Sequence, residues 1–297
     1  MNSFSIGTIS LLVSNVLLSS YPILIKQYIT DISVLVQLII RVVTYILLAL
    51  PILVIGGEGL SIITNTINPK FLAISAVNLL HIYSSYKGFE YLNAGVSLTT
   101  FYSYPIIQVL LARIFLGTTL SKEIIYNLFG CLVGIGILNK ESYYDTNTNI
   151  KKGFIFIAIA ALTEAIIGVF YKKVNFSNPF MSLYTLYAPA FFLLLLVYIF
   201  FSNRIELHDK LLSKIEFNYS TLKKIILYNI LIGGLGYALR LFSLSQISIS
   251  WFSAVSFTGS VSAFLMGWFF LGEQIKIHHL LGSAVIFYNL YYINKTN

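Results

Sequence analysis

Long apolar runs, each about the length of one bilayer crossing and separated by short charged clusters, set the limits on what this chain can become. A helix needs about 20 apolar residues to span the hydrocarbon core, with a working range of roughly 17 to 25. That ruler places ten segments, near residues 6–25, 32–55, 71–89, 92–116, 123–139, 153–171, 179–201, 225–247, 249–271 and 275–293. Runs this continuous argue against an outer-membrane barrel, whose strands alternate over about 10 residues. They also exclude a water-soluble fold, because hydrophobic residues fill 57% of the 297 positions and charged residues only 10%, against roughly 25% charged in an ordinary soluble domain. The expectation is an all-α integral membrane protein with ten transmembrane helices. The first segment has no basic residue before it and no small-residue cleavage site after it, so it is expected to be a span and not a removable signal peptide.

The net charge of +8 comes from 19 Lys and Arg against 11 Asp and Glu. Most of the basic residues flank apolar segments, which suits contact with anionic lipid headgroups and argues against nucleic acid as a partner. A single cysteine, Cys131, lies within an apolar run, so there is no disulfide framework. There is no Walker loop, no Gly-x-Ser-x-Gly elbow and no His-Cys-carboxylate cluster at metal-ligand spacing. No cofactor and no metal are expected. With one carboxylate at mid-span, neither is enzymatic chemistry.

The clearest polar break runs from Lys140 to Lys152 and divides the ten segments five and five. It separates a first unit, residues 1–139, from a second, residues 153–297, with 140–152 as linker. The units share signals: Leu116-Gly117 corresponds to Leu271-Gly272, and Gly130 falls near the place of Gly282. Five spans is an odd number, so two copies must enter the membrane from opposite sides. Inverted repeats of this kind place a substrate site near the midplane where the units meet. A second polar stretch, Ser202 to Lys224, reads as a connector; its interspersed Ile205, Leu207, Leu211, Leu212 and Ile215 also allow a short interfacial helix.

On these residues the chain resembles the drug/metabolite transporter superfamily, in its ten-helix branch with two EamA-type repeats. The resemblance covers nearly the whole length. It is strongest from Ala94-Gly95-Val96-Ser97-Leu98 through Pro105 to Leu116-Gly117 and over the ninth span ending in Leu271-Gly272-Glu273, and Arg41 falls where many first repeats carry an arginine. Thr118 and Ser260 depart from the pattern, standing where an acidic residue and a proline are common. The resemblance implies a carrier whose substrates, across the family, range over amino acids, nucleotide sugars, phosphorylated sugars and cationic drugs. It also implies cytoplasmic termini and a central cavity bordered by the sixth and eighth spans.

Ionisable groups at mid-membrane cost several kcal/mol unless paired or wet, which makes each a functional candidate. Four qualify: Glu164, Arg240, His81 and Arg41. Glu164 lies 11 residues into the sixth span and Arg240 15 into the eighth, within about 6 Å in depth at ~1.5 Å per residue. Arg240 is the candidate to receive an anionic substrate group, since its planar fork donates paired hydrogen bonds. Glu164 is the candidate to hold an amine or trade protons, and His81 is the other group able to carry a proton; a fixed structural ion pair is the bland alternative. His81, Asn78 and Ser85 form one polar stripe. Asn15, Tyr102, Tyr237 and Ser256 complete the set of expected substrate-binding residues, and Arg41 is expected to be a structural anchor, snorkelling to headgroups or bonding a loop carbonyl. Gly130-Cys131-Leu132-Val133-Gly134 is a small-xxx-small packing motif.

The expected function is secondary transport of a small anionic or zwitterionic organic metabolite by alternating access, as an exchanger or with protons as the coupling partner, in a plasma or inner membrane. The residues leave open a cationic or nucleotide-type substrate, a non-transporting receptor of the same fold, and one or two copies per unit. With the termini inside, the basic residues other than Arg41 and Arg240 number six on the inner side and 11 on the outer, which opposes the positive-inside rule.

Overall fold

Single residues set the helix ends of this chain. In the computed structural model, which describes residues 3–23, 32, 34–140, 148–201 and 219–296, the side chains of Asn68, Ser121 and Ser248 accept hydrogen bonds from the backbone N–H groups of Lys70, Ile124 and Trp251. Each satisfies a donor that a helix start leaves without an intrahelical acceptor. Gly117 and Gly272 adopt left-handed φ values of 65° and 67°, a conformation glycine takes without a Cβ penalty. They belong to the repeated Leu-Gly pair, so equivalent helices in the two halves stop by the same device.

In the first half, α1 is Ser3–Leu18, α2 Val34–Ile55, α3 Gly59–Thr66, α4 Pro69–Tyr91, α5 Ala94–Phe101, α6 Tyr104–Leu116 and α7 Lys122–Leu138. In the second, α8 is Thr148–Val174, α9 Pro179–Phe201 and α10 Tyr219–Tyr228; a π-helical stretch Asn229–Gly234 follows, then α11 Leu235–Gln246, α12 Ile249–Ser256, α13 Thr258–Leu271 and α14 Ile277–Thr296. The described residues contain no strand. Residues 141–147 of the expected linker, residues 202–218 of the connector, and Lys26 and Asp31 lie outside the described residues.

Among the described residues, seven segments are long and apolar enough to cross a membrane: Phe4–Ile23, Val34–Ile55, Ala94–Leu116, Asn149–Val174, Pro179–Leu196, Leu222–Gln246 and Ile249–Leu271. The sequence predicts ten, and α4, α7 and α14 make the difference. α7 has only 17 residues. α4 is 23 residues long but turns Ser75, Asn78, His81, Ser84 and Ser85 into the protein interior, so its polar face never has to suit lipid.

Two predicted spans are broken. The fourth divides into α5 and α6 at Tyr102 and Ser103, where Pro105 supplies no N–H to continue the ladder. The ninth divides into α12 and α13 at Phe257 without a proline. There α1 and the turn after it help to satisfy the freed backbone: Asn15 Nδ2 donates to the Val255 carbonyl at 3.2 Å and to Thr258 Oγ1 at 3.0 Å, and Ser19 Oγ donates to the Gly259 carbonyl at 3.2 Å. Such substitutes are what allow a helix to break at membrane depth. The short helix α3 has no counterpart among the predicted segments. It is amphipathic, with Leu60, Ile63 and Ile67 exposed and Ile62 buried, and Glu58 before it accepts a hydrogen bond from Asn178 at 2.6 Å.

Helix contacts follow a two-fold pattern. α7 packs on its counterpart α14, α2 on its counterpart α9, α5 on α13 and α6 on α12. α4 packs on α8, while their counterparts α11 and α1 pack on each other. The small-xxx-small motif serves the first pair: a Cβ on Gly134 would meet the Gly282 carbonyl at 2.9 Å, and one on Gly282 would meet the Gly134 carbonyl at 2.7 Å. Backbones approach that closely only where side chains are missing.

Candidate substrate-binding site

The buried charges gather around α8, which meets α4 across the seam between the halves and α11 within its own half. Glu164 comes from the middle of α8. Arg240 and Tyr237 project from one face of α11, three residues apart. His81 comes from α4 in the other half. All four side chains are buried. Arg240 Nε donates to Glu164 Oε1 at 2.8 Å, and the Tyr237 hydroxyl donates to Oε2 at 3.1 Å. His81 Nε2 stands 3.5 Å from the same Oε2. The sequence expectation that Glu164 and Arg240 lie at one depth is thus realised as a direct ion pair. Ring faces complete the setting of Arg240, whose Cζ is 4.9 Å from the Tyr104 centroid and 5.2 Å from that of Phe252.

The histidine tautomer follows from its other contact. His81 Nδ1 is 3.0 Å from the Ala160 carbonyl, an oxygen that only accepts, so Nδ1 carries a proton. In the neutral ring Nε2 is then a bare lone pair facing a carboxylate oxygen. A proton between Nε2 and Oε2 turns that repulsion into attraction, whichever of the two groups holds it.

A cavity of about 60 Å³ adjoins this cluster. Arg41, His81 and Glu164 with Arg240 mark its polar wall; Tyr21, Phe89, Phe101 and Tyr102 are its aromatic wall. It has room for a few waters and is too small for an organic molecule. A much larger concavity, near 1000 Å³, runs along the outer face of α7 and α14 past Val133, Leu281 and Tyr288. It is overwhelmingly apolar, and none of Arg41, His81, Glu164 and Arg240 lines it.

Arg41 corrects the sequence reading. It does not snorkel to headgroups: it is only 6% exposed and its Cζ lies 4.8 Å and 5.1 Å from the ring centroids of Tyr21 and Tyr45, with Tyr86 and Tyr187 at 5.9 and 6.0 Å. A signal for this exists as an i, i+4 stripe, since Gln37, Arg41 and Tyr45 share one face of α2 and all three are buried. Tyr21, which donates to Asn229 Oδ1 and lies 2.9 Å from the Tyr45 hydroxyl, has no such signal.

The other expected residues are divided. Tyr102 lines the cavity, packed against Gly259. Asn15 serves the helix break described above. Asn78 Nδ2 donates to the Leu186 carbonyl on α9 at 3.4 Å, and Ser256 Oγ donates back to Phe252 O at 2.8 Å; neither borders the cavity. Ser85, from the same stripe as His81, does. Among the described residues no three His, Cys, Asp or Glu side chains gather as a metal site would require.

Two helical units, related by a two-fold and enclosing buried charges at their seam, define a multi-pass membrane transporter of the drug/metabolite type. The chain belongs to the EamA-like transporter family, matching it over residues 5–140 and 151–295. One solved crystal structure, described only as that of a protein, superposes with a TM-score of 0.69 over 98% of this chain and 97% of its own. At 12% identity that likeness speaks to the fold alone. No curated protein matches the chain.

Proposed function

We propose that the protein is a secondary transporter for a small organic anion, with protons as the coupling ion. The observation that carries this reading is the charge of the cavity wall. Two guanidinium groups, Arg41 and Arg240, face one carboxylate, Glu164, among the described residues. One positive charge is left over, or two when His81 and Glu164 share a proton. An uncompensated buried charge costs several kcal/mol, and an anionic substrate removes that cost as it enters. Protonation of the His81–Glu164 pair raises the positive charge by one and strengthens the same attraction, which couples proton entry to anion entry through one set of residues.

The test is uptake by purified protein in liposomes, with a panel of labelled carboxylates, phosphates, amino acids and quaternary amines. Saturable uptake of an anion, accelerated by an acidic exterior, is expected. Glu164→Gln should keep binding while losing the response to the pH gradient. Uptake confined to cations, or anion uptake indifferent to a pH gradient in the wild type, would refute the anion or the proton half of the reading respectively.

A further inference from the structure

The two arginines of the cavity are not equivalent. Arg240 spends its in-plane Nε–H on Glu164. Arg41 has no carboxylate within ion-pair distance among the described residues, and its buried Nε has no hydrogen-bond partner. The tyrosines around it do not repair this. Ring faces stabilise the cation from above and below its plane, whereas guanidinium N–H groups point outward within the plane and need acceptors there. The Tyr21 and Tyr45 hydroxyls are engaged with each other and with Asn229. The Tyr187 hydroxyl meets no strict hydrogen-bond geometry although it stands close enough to Arg41 to interact with it, and a neutral oxygen leaves the charge of the guanidinium uncompensated. A buried charged donor left unmatched is costly, and this one borders the cavity.

We infer that Arg41 seats the carboxylate of the substrate, and that the substrate is a small monocarboxylate with an apolar or aromatic body. This rests on the anion-carrier reading and narrows it. Three observations set the class. A planar fork held between ring faces matches a planar carboxylate. With a neutral His81 the wall carries one surplus positive charge, which a monoanion cancels. The oxygens of Glu164 already accept from Arg240 and Tyr237, so the ammonium of a zwitterion finds no unoccupied carboxylate there, while Phe89, Phe101 and Tyr102 offer an apolar wall to the rest of the molecule.

Thermal stabilisation of the purified full chain in detergent by benzoate, phenylalanine, inorganic phosphate and choline tests this, because a ligand that binds the folded form raises its melting temperature. Benzoate is expected to stabilise the wild type most. Charge-assisted hydrogen bonds are worth about 1.5–3 kcal/mol, so benzoate affinity should fall roughly 10-fold in Arg41→Lys and about 100-fold in Arg41→Gln. The lysine variant keeps the charge, and it decides the matter if the glutamine variant does not fold. Benzoate stabilisation undiminished in both variants would overturn the assignment of Arg41 and leave the anion reading standing. Stronger stabilisation by phosphate or phenylalanine would overturn the monocarboxylate class. Stabilisation by choline alone, or by none of the four, would overturn this inference, and choline alone would overturn the anion reading with it.

Discussion

At the scale of single residues, the Glu164–Arg240 pair holds because opposite buried charges are placed against each other. Glu164 is held by Arg240 and Tyr237 and faces His81. Removing one member of such a pair leaves the other charged and alone in a medium that solvates it poorly. Arg240→Ala should therefore destabilise the protein by about 3–5 kcal/mol. The double variant Arg240→Ala, Glu164→Ala should recover a good part of that loss, since it removes both charges together. Thermal unfolding of the two single variants and the double in detergent checks this as a mutant cycle; strictly additive losses would mean that the two side chains do not depend on each other.

Among the helices, the two halves are built alike but locked differently. Glu273, directly after the left-handed Gly272, accepts from the backbone N–H groups of Ala94 at 3.2 Å and Gly95 at 3.3 Å. It thereby ties the end of α13 to the start of α5 and places a carboxylate at a helix N-terminus, where the dipole favours it. The equivalent residue in the first half is Thr118, whose Oγ1 has no hydrogen-bond partner. One end of the seam is thus fastened by a charge and the other is not. Glu273→Ala should cost about 1 kcal/mol, in the usual range for a lost cap, and Thr118→Ala close to nothing; melting temperatures of the two variants make the comparison. A second test at this scale concerns close packing. Gly134→Leu forces a side chain into the Gly282 backbone and should cost at least the ~1–3 kcal/mol of ordinary overpacking, visible as a lowered melting temperature.

For the whole molecule, the two-fold pattern of contacts and the small central cavity belong together. A cavity of about 60 Å³ is too small for an organic molecule, so under the proposed function one half has to move against the other, and inverted repeats give two equivalent ways to do so. Which face of the membrane each way opens to depends on orientation. The family resemblance places both termini in the cytoplasm and the basic residues argue the other way, with the Ser202–Lys224 connector contributing five of the 11 on the far side. Cysteines introduced at Asn2 and Ser213 and labelled in intact cells with a membrane-impermeant reagent decide between them. With cytoplasmic termini, position 213 is labelled and position 2 is not.

Much of this protein is legible in its amino-acid sequence alone. Long apolar runs can only be helices in lipid, because every backbone group there must find its partner within its own segment. The halves show in the Leu-Gly pairs, and the pairing of Glu164 with Arg240 shows in their common depth, since rise per residue is constant. Arg41 shows what such reasoning misses. Its depth along α2 is readable, but its direction is not: snorkelling and burial use the same residue at the same height, and the choice belongs to Tyr21, Tyr86 and Tyr187 on other helices. The breaks at Tyr102 and Phe257 are similar, one marked by a proline and the other permitted by Asn15 and Ser19 far away in the chain. Periodicity and length act along one segment and can be read from it. Which buried donors are answered and which are not depends on groups distant along the chain, and only their packing in space brings those together.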